Sequence, residues 1–438
     1  MDRPVNLRTE PELDLFVQRH LRRNVTANVA EGALFWLGLS FLSSTTILPL
    51  FVSKLTSSTL PLGLIAMLGQ GGWLLPQLLA AHWVERMPRR KPAVILVSGL
   101  LERLPVWLLV LLGLNATRWP SAILVLFLLT FAFHTLGGGF IGPAWQDLIA
   151  RIIPVRRRGR FWGLTNAVGT GTGFAGSILS AWLLVRYPFP ANFAMIFGLA
   201  AAAFTLGWLP LFLIREPEVP VPSQGKKLGQ FLTHLPGLLH QDRPFRRYLL
   251  ARSLLSLGLM GLGFVTVAAV RRWQVTDSVV GYFTGAQLIG MASGSLLFGA
   301  LADRLGHKLS LEWAALIYTA AFLLAWLAPA PVLYYPVYLL LGAGQGAVFL
   351  SGMFVVMEFA EPARRPTYIG ISNTVVGLVS MAGPLLASGL AAVRYDLVFA
   401  ISAAISLVGY LTMHWWVQDP RWADRSSSLP SGQPLDML

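Results

Sequence analysis

Twelve apolar runs of about 20 residues, separated by short polar turns, leave this chain few folds to adopt. A helix of that length crosses the hydrocarbon core of a bilayer. Within that core every backbone N–H and C=O must be satisfied inside the protein, so only helices and closed barrels span it. Barrel strands alternate in ~10-residue segments, a pattern these runs lack. Charged residues are 12% of the 438, against ~25% in an ordinary soluble domain, too few to solvate a soluble surface of this size. The chain reads as an all-α polytopic membrane protein with spans at 30–52, 61–83, 93–114, 120–145, 160–185, 191–214, 247–270, 278–302, 311–329, 332–358, 366–392 and 397–417.

The net charge of +14 follows the loops. With the N-terminus inside, 27 of the 34 Lys and Arg residues fall in inside segments, and Arg103 lies within a span. The outside loops hold six: Lys54, Arg118, Arg186, Arg271, Arg272 and Arg394. The positive-inside rule then predicts a multi-pass protein of the cell's inner (plasma) membrane with both termini cytoplasmic. It accounts for the basic balance without nucleic acid. There is no cysteine, so neither disulfides nor thiolate metal sites are available, and no metal is expected. No cleavable signal is expected either, because the first 28 residues are charged and amphipathic.

The expected organisation has five parts. Residues 1–28 form a cytoplasmic segment with a short interfacial helix, from the spacing of Leu13, Phe16, Val17 and Leu21 beside Arg19, Arg22 and Arg23. Residues 29–214 form a first six-span bundle. Residues 215–246 are a proline-rich cytoplasmic connection. Residues 247–418 form a second bundle, and 419–438 are a disordered tail rich in Ser and Pro.

The halves repeat. Gly299-Ala-Leu-Ala-Asp303-Arg304-Leu-Gly306-His-Lys308 ends the eighth span, and Ala81-His-Trp-Val-Glu85-Arg86-Met-Pro-Arg-Arg-Lys91 ends the second. An acid, the Arg after it and a basic tail recur. At a second landmark Phe161-Trp-Gly163-Leu-Thr-Asn166 matches Tyr368-Ile-Gly370-Ile-Ser-Asn373.

Twelve spans, a central connection, a six-plus-six repeat and the Gly-x-x-x-Asp-Arg-x-Gly-x-Lys turn together resemble the major facilitator superfamily over about residues 25–418. In the first-half turn Ala81, Glu85 and Pro88 replace the Gly, Asp and Gly of that pattern. The resemblance implies two bundles related by a pseudo-twofold axis, with alternating access to a central cavity. Spans one, four, seven and ten would line the cavity, and two, five, eight and eleven would meet at a seam. Glu85, Arg86, Gly299, Asp303, Arg304 and Gly306 would form a gating motif. An acid at such a turn can accept from free amides at a helix N-terminus and face its positive dipole. Asp147 is placed to pair with the first-half turn's arginines, and Glu358 is its second-half analogue. Glycines at 169, 173, 176, 281, 285, 290, 294, 370, 377 and 383 fall on the seam spans.

Ionisable groups at membrane depth are costly and mark function. Glu31 opens span one, Glu102 and Arg103 lie mid-span in three, and His134 lies mid-span in four. Neighbours on an α-helix point ~100° apart, which disfavours a Glu102–Arg103 pair. Proton-coupled relatives often carry Arg-x-x-Gln-Gly in span four; here the run is His134-Thr-Leu-Gly-Gly138. His134 is either a proton carrier or a neutral, hydrogen-bonded ring. Arg252 lies near the start of span seven and either snorkels or serves the cavity. Trp36, Gln70, Gln77, Gln287 and Gln345 complete the substrate and proton-pathway candidates, and Asn166 and Asn373 are seam amides. The antiporter Gly-Pro pair is absent from span five and appears as Gly383-Pro384 in span eleven.

The expected function is secondary active transport of a small organic, amphipathic or weakly polar solute, by a monomer without cofactors, with H+ as coupling ion. The aromatic, charge-poor interior points to efflux. The alternatives are an uptake permease for a small polar solute, or a lipid flippase or sensor on the same fold. No enzyme is expected: neither a phosphate-binding Gly-x-x-x-x-Gly-Lys-Ser/Thr run nor His-Glu-x-x-His is present.

Overall fold

A computed structural model describes residues 10–84, 87–218, 242–359 and 365–419. The elements are helices: α1 (Glu10–Phe41), α2 (Ile47–Leu55), α3 (Leu60–Gly71), α4 (Gln77–Val84), α5 (Lys91–Val97), α6 (Val106–Leu114), α7 (Pro120–Ile152), α8 (Val155–Arg186) and α9 (Ala191–Leu213) in the first half. In the second half they are α10 (Arg243–Gly258), α11 (Val265–Trp273), α12 (Asp277–Leu305), α13 (His307–Leu327), α14 (Tyr334–Glu358), α15 (Arg365–Val393) and α16 (Tyr395–Trp416). Ten helical stretches among the described residues are long and apolar enough to cross a membrane. The other two expected spans, 30–52 and 61–83, are divided.

Four expected spans carry interruptions, each with a local cause. The first breaks over Leu42–Thr46, where side-chain hydroxyls compete with the helix ladder: Thr46 Oγ1 donates to Ser43 Oγ at 2.6 Å and Leu48 N bonds Ser43 O at 3.0 Å. The second breaks over Gly72–Pro76, where Pro76 supplies no amide. The third, between α5 and α6, passes through a π turn, Ser98–Arg103, in which Leu104 N reaches back five residues to Gly99 O at 2.9 Å. The seventh holds a 3-10 turn, Leu259–Phe264, between α10 and α11. There Gly261 lies so close to Ser402 that a Cβ would stand 2.7 Å from its hydroxyl.

The short interfacial helix expected within residues 1–28 is not separate. From Glu10 onward it is the beginning of α1, which runs unbroken into the first span. Burial explains this: Leu21 and Ala27 pack with Val94, Ile149, Ile152 and Ile214. Asn24 adds a reciprocal pair of hydrogen bonds with the Arg215 backbone, at 3.0 and 2.9 Å.

Contacts between the halves gather towards the face holding the α2–α3 and α11–α12 turns, hereafter the far face. Lys54 Nζ meets Asp277 Oδ1 at 2.8 Å, Arg271 donates to Ser57 O at 2.9 Å, and Thr59 donates to Ser388 O at 2.9 Å. Below them Gly281 of α12 lies against the Ala181 backbone of α8, where a Cβ would stand 2.6 Å away. Gly63 of α3 is equally close to Pro384 O of α15, at 2.8 Å. At the opposite, terminal face the ion pairs among the described residues join residues of the same half, as Arg90 does with Asp147 at 2.7 Å and Lys308 with Glu312 at 3.2 Å.

Candidate transport site

The interruptions position two polar groups. In the first half the π turn presents Glu102 and Arg103 to Glu31 of α1 and His134 of α7. These four side chains are 3%, 4%, 4% and 1% exposed, respectively. Arg103 Nη2 donates to Glu31 Oε1 at 2.7 Å, and Arg103 Nε stands 3.7 Å from Glu102 Oε2. The expectation that Glu102 and Arg103 would not pair is corrected: the wider π turn alters the angle between neighbours that a regular helix sets. His134 Nδ1 bonds the Glu102 carbonyl at 2.6 Å, which places the Nδ1 proton on that bond.

Aromatic rings wall this group. Arg103 lies over Phe35 at 5.9 Å, Trp73 meets His134 edge-on at 5.9 Å, and Phe204 lies 5.2 Å from the same ring. Gly138 leaves the room: a Cβ there would run into the Trp73 ring and stand 2.9 Å from Glu102 Oε1. Two carboxylates thus share one guanidinium in a water-poor interior, an arrangement whose net charge depends on one proton. Arg103 Nε and Nη1 have no hydrogen-bond partner among the described residues.

The second group is neutral and joins the halves. Thr45, in the break of the first span, donates to Gln287 Oε1 of α12 at 2.7 Å, and Gln287 donates on to Gln345 Oε1 of α14 at 2.7 Å. Thr46 meets Thr284 at 2.5 Å. Thr266 of α11 donates to Thr45 O at 2.6 Å and bonds the Tyr338 hydroxyl. Gln287 and Gln345 are therefore brought together. Thr45, Thr46, Thr266, Thr284 and Tyr338 were missed; the one signal in the sequence is the run Ser43-Ser44-Thr45-Thr46 inside an apolar span.

The remaining candidates scatter. Gln77 accepts from Asn373 Nδ2 at 3.1 Å, bridging α4 and α15. Gln70 on α3 and Asn166 on α8 are half-buried and lie outside both groups. Trp36 packs on Gly169 and Gly173 of α8. Arg252 is half-buried, its guanidinium filling the space a side chain at Gly352 would need, and Glu358 is the last residue of α14.

Of the gating motif, Glu85, Arg86 and the Asp303 side chain lie outside the described residues. Gly299 and exposed Arg304 sit in the last turns of α12. Gly306 follows with φ +104, a conformation that favours glycine. Asp147 pairs with Arg90 of the first-half turn at 2.7 Å and with Arg151 at 3.0 Å. Glu216, which the sequence did not single out, caps α5: its carboxylate accepts from the Arg90 and Lys91 amides at 2.7 and 2.8 Å. Burial outweighs those bonds and pushes its carboxyl above the usual range.

The family model of the Major Facilitator Superfamily matches residues 32–271 and again 248–435. The chain belongs to the major facilitator superfamily. Within it, the chain is 27% identical over 405 residues to a putative sugar efflux transporter of Deinococcus radiodurans, covering 89% of this chain and 98% of that one. It is 23% identical over 384 residues to an uncharacterised MFS-type transporter of Methanocaldococcus jannaschii, covering 84% and 88%. Among solved structures, the nucleoside transporter NupG superposes with a TM-score of 0.69 at 13% identity, covering 91% of this chain and all of that one. This superfamily member is an all-helical, multi-pass secondary transporter of a small molecule.

Proposed function

We propose that this transporter is proton-coupled, and that Glu31 and Glu102 share one transferable proton beside Arg103. The observation that carries the reading is the burial of two carboxylates against a single guanidinium. With both ionised the group holds one net negative charge; one proton makes it neutral. A change of that size at membrane depth is large enough to bias alternating access. His134 orients Glu102 through its backbone rather than carrying the proton.

The bundles are residues 29–214 and 247–418, and both termini are cytoplasmic, in the inner (plasma) membrane. The far face is then the outer one, and its inter-half contacts support an inward-facing state. Gln287 and Gln345, with Thr45 and Thr46, hold the outer side closed. Solute enters between the two polar groups. Arg103 and the rings of Phe35 and Trp73 suit a weakly polar organic molecule with a hydrogen-bond acceptor. Efflux is the favoured direction, in keeping with the Deinococcus relative's description.

The test uses purified protein in liposomes and a solute selected by thermal-shift screening. Glu31→Gln and Glu102→Gln should each abolish pH-driven accumulation while solute exchange persists. Intact pH coupling in both variants overturns the assignment.

A further inference from the structure

Half of the basic residues in the loops of the far face converge on one place. Arg271 and Arg272, in the last turn of α11, meet Arg394, the residue that caps α16, around a cavity of about 350 Å³. Tyr334, Tyr395 and Asp396 complete its polar lining. One carboxylate faces three guanidiniums, so two positive charges remain uncompensated within the lining. Two helices, α14 and α16, begin here at Tyr334 and Tyr395, and their N-terminal ends add positive potential.

The existing bonds hold the cations in place. Arg271 donates to Ser57 O at 2.9 Å, Arg272 to Trp326 O at 3.3 Å, and Arg394 to Asp396 Oδ2 at 3.0 Å. A guanidinium carries five donors, and each of these bonds uses one. The Tyr334 and Tyr395 hydroxyls are buried and neither proton has an acceptor among the described residues, while Arg272 lies against the Tyr334 oxygen. Tyr334 as a whole is 0% exposed. A buried donor without an acceptor is costly, and two of them lining a cationic cavity mark a place for an anion.

We propose that this cavity binds a phosphate-bearing anion. Three guanidinium forks and two hydroxyl donors suit a tetrahedral, multiply charged group, and the volume admits a headgroup-sized ligand. The phosphate belongs either to a lipid headgroup or to free inorganic phosphate. Arg271 gives the site a consequence: it also bridges to Ser57 of the first half, so an occupant bound to Arg271 tightens closure of this face.

The experiment measures thermal unfolding of the purified full chain. One arm titrates inorganic phosphate in detergent against chloride at matched ionic strength. The other compares nanodiscs of phosphatidylcholine with nanodiscs containing phosphatidylglycerol. Protection by phosphate identifies a free anion, and protection by phosphatidylglycerol alone identifies a headgroup. In the protecting arm, Arg394→Gln and Tyr334→Phe should each weaken the response about tenfold. Arg394 is 70% exposed, so its variant tests binding without disturbing the core. Arg118→Gln, at the same face but outside the cavity, should respond as the parent does. Protection in neither arm, an unchanged response in Arg394→Gln and Tyr334→Phe, or an equal loss in Arg118→Gln overturns the proposal.

Discussion

In the first half of the chain the interior polar group is ionic: Arg103 lies within 3.7 Å of both Glu31 and Glu102 through their charged atoms, with His134 bonded to the turn that carries two of them. In the second half, the side chains that meet the break in the first span are amides and hydroxyls, from Gln287, Gln345, Thr266, Thr284 and Tyr338. The ionic group lies wholly within one half and can change its charge there. The neutral network crosses between the halves and can only form or break. In the proposed coupling a single protonation acts on one half, while the buried part of the tie between the halves is neutral and only the more exposed Lys54–Asp277 pair in it is ionic. On that reading, separating these tasks keeps the proposed proton site intact when the halves move apart.

The largest expected effect comes from removing the shared cation. Arg103→Met leaves two buried carboxylates facing each other, and should cost ~3–5 kcal/mol in unfolding free energy. Adding Glu31→Gln and Glu102→Gln to it should restore most of that loss, without restoring pH-driven transport. A stable Arg103→Met single variant would show that the first half does not depend on ionic pairing. Gln287→Leu comes next. It strands the Gln345 oxygen and leaves the Thr45 hydroxyl only its contact with Ser43 Oγ at 3.0 Å, at ~1–3 kcal/mol, and that loss falls on the closed state of the far face. Because the chain has no cysteine, Val280→Cys, at a position 0% exposed, reports opening directly. Thiol labelling there should be faster in the Gln287→Leu background, and equal rates would dissolve the contrast between the halves.

Lys54→Ala removes an ion pair whose side chains are 34% and 21% exposed. It should change stability by only ~0.2–1 kcal/mol, and less in high salt. Glu216→Gln should have the smallest effect, visible mainly as pH dependence. Its carboxyl is raised by burial, so its folded form holds a proton longer than its unfolded form. The stability it contributes is complete below the ordinary carboxylate range and declines as pH climbs through the raised value. Melting curves of Glu216→Gln should lack that decline.

The sequence made the spans legible because apolar length is a property of composition. It also singled out Glu31, Glu102 and His134, since an ionisable residue in such a run is conspicuous wherever it points. Their mutual geometry was not legible. It depends on a π turn, and the side chains of Ser98–Arg103 carry no mark of the extra residue. The threonine network was hidden for a different reason: hydroxyls in membrane helices commonly bond their own preceding turn, as Thr130 does to Leu126 O at 2.8 Å. Glycines on α12 were legible as packing residues but not by partner. Gly281 and Gly285 face α8, whereas Gly290 and Gly294 pack on Leu339 and Ala343 of α14. Five residues of helix turn the chain by ~140°, enough to carry one glycine pair to a different neighbour.

The π turn makes the spacing of the third span a matter of counting. It holds one residue more than an α-helix of the same rise would need. Deleting Leu100 would let the segment relax to regular helix with the flanking turns kept in phase, and only the residues inside the turn would change direction. Hydropathy would hardly change, and the span would still insert. Yet Glu102 and Arg103 would lose their bearing on Glu31, so a one-codon deletion could silence energy coupling in a transporter that otherwise looks whole.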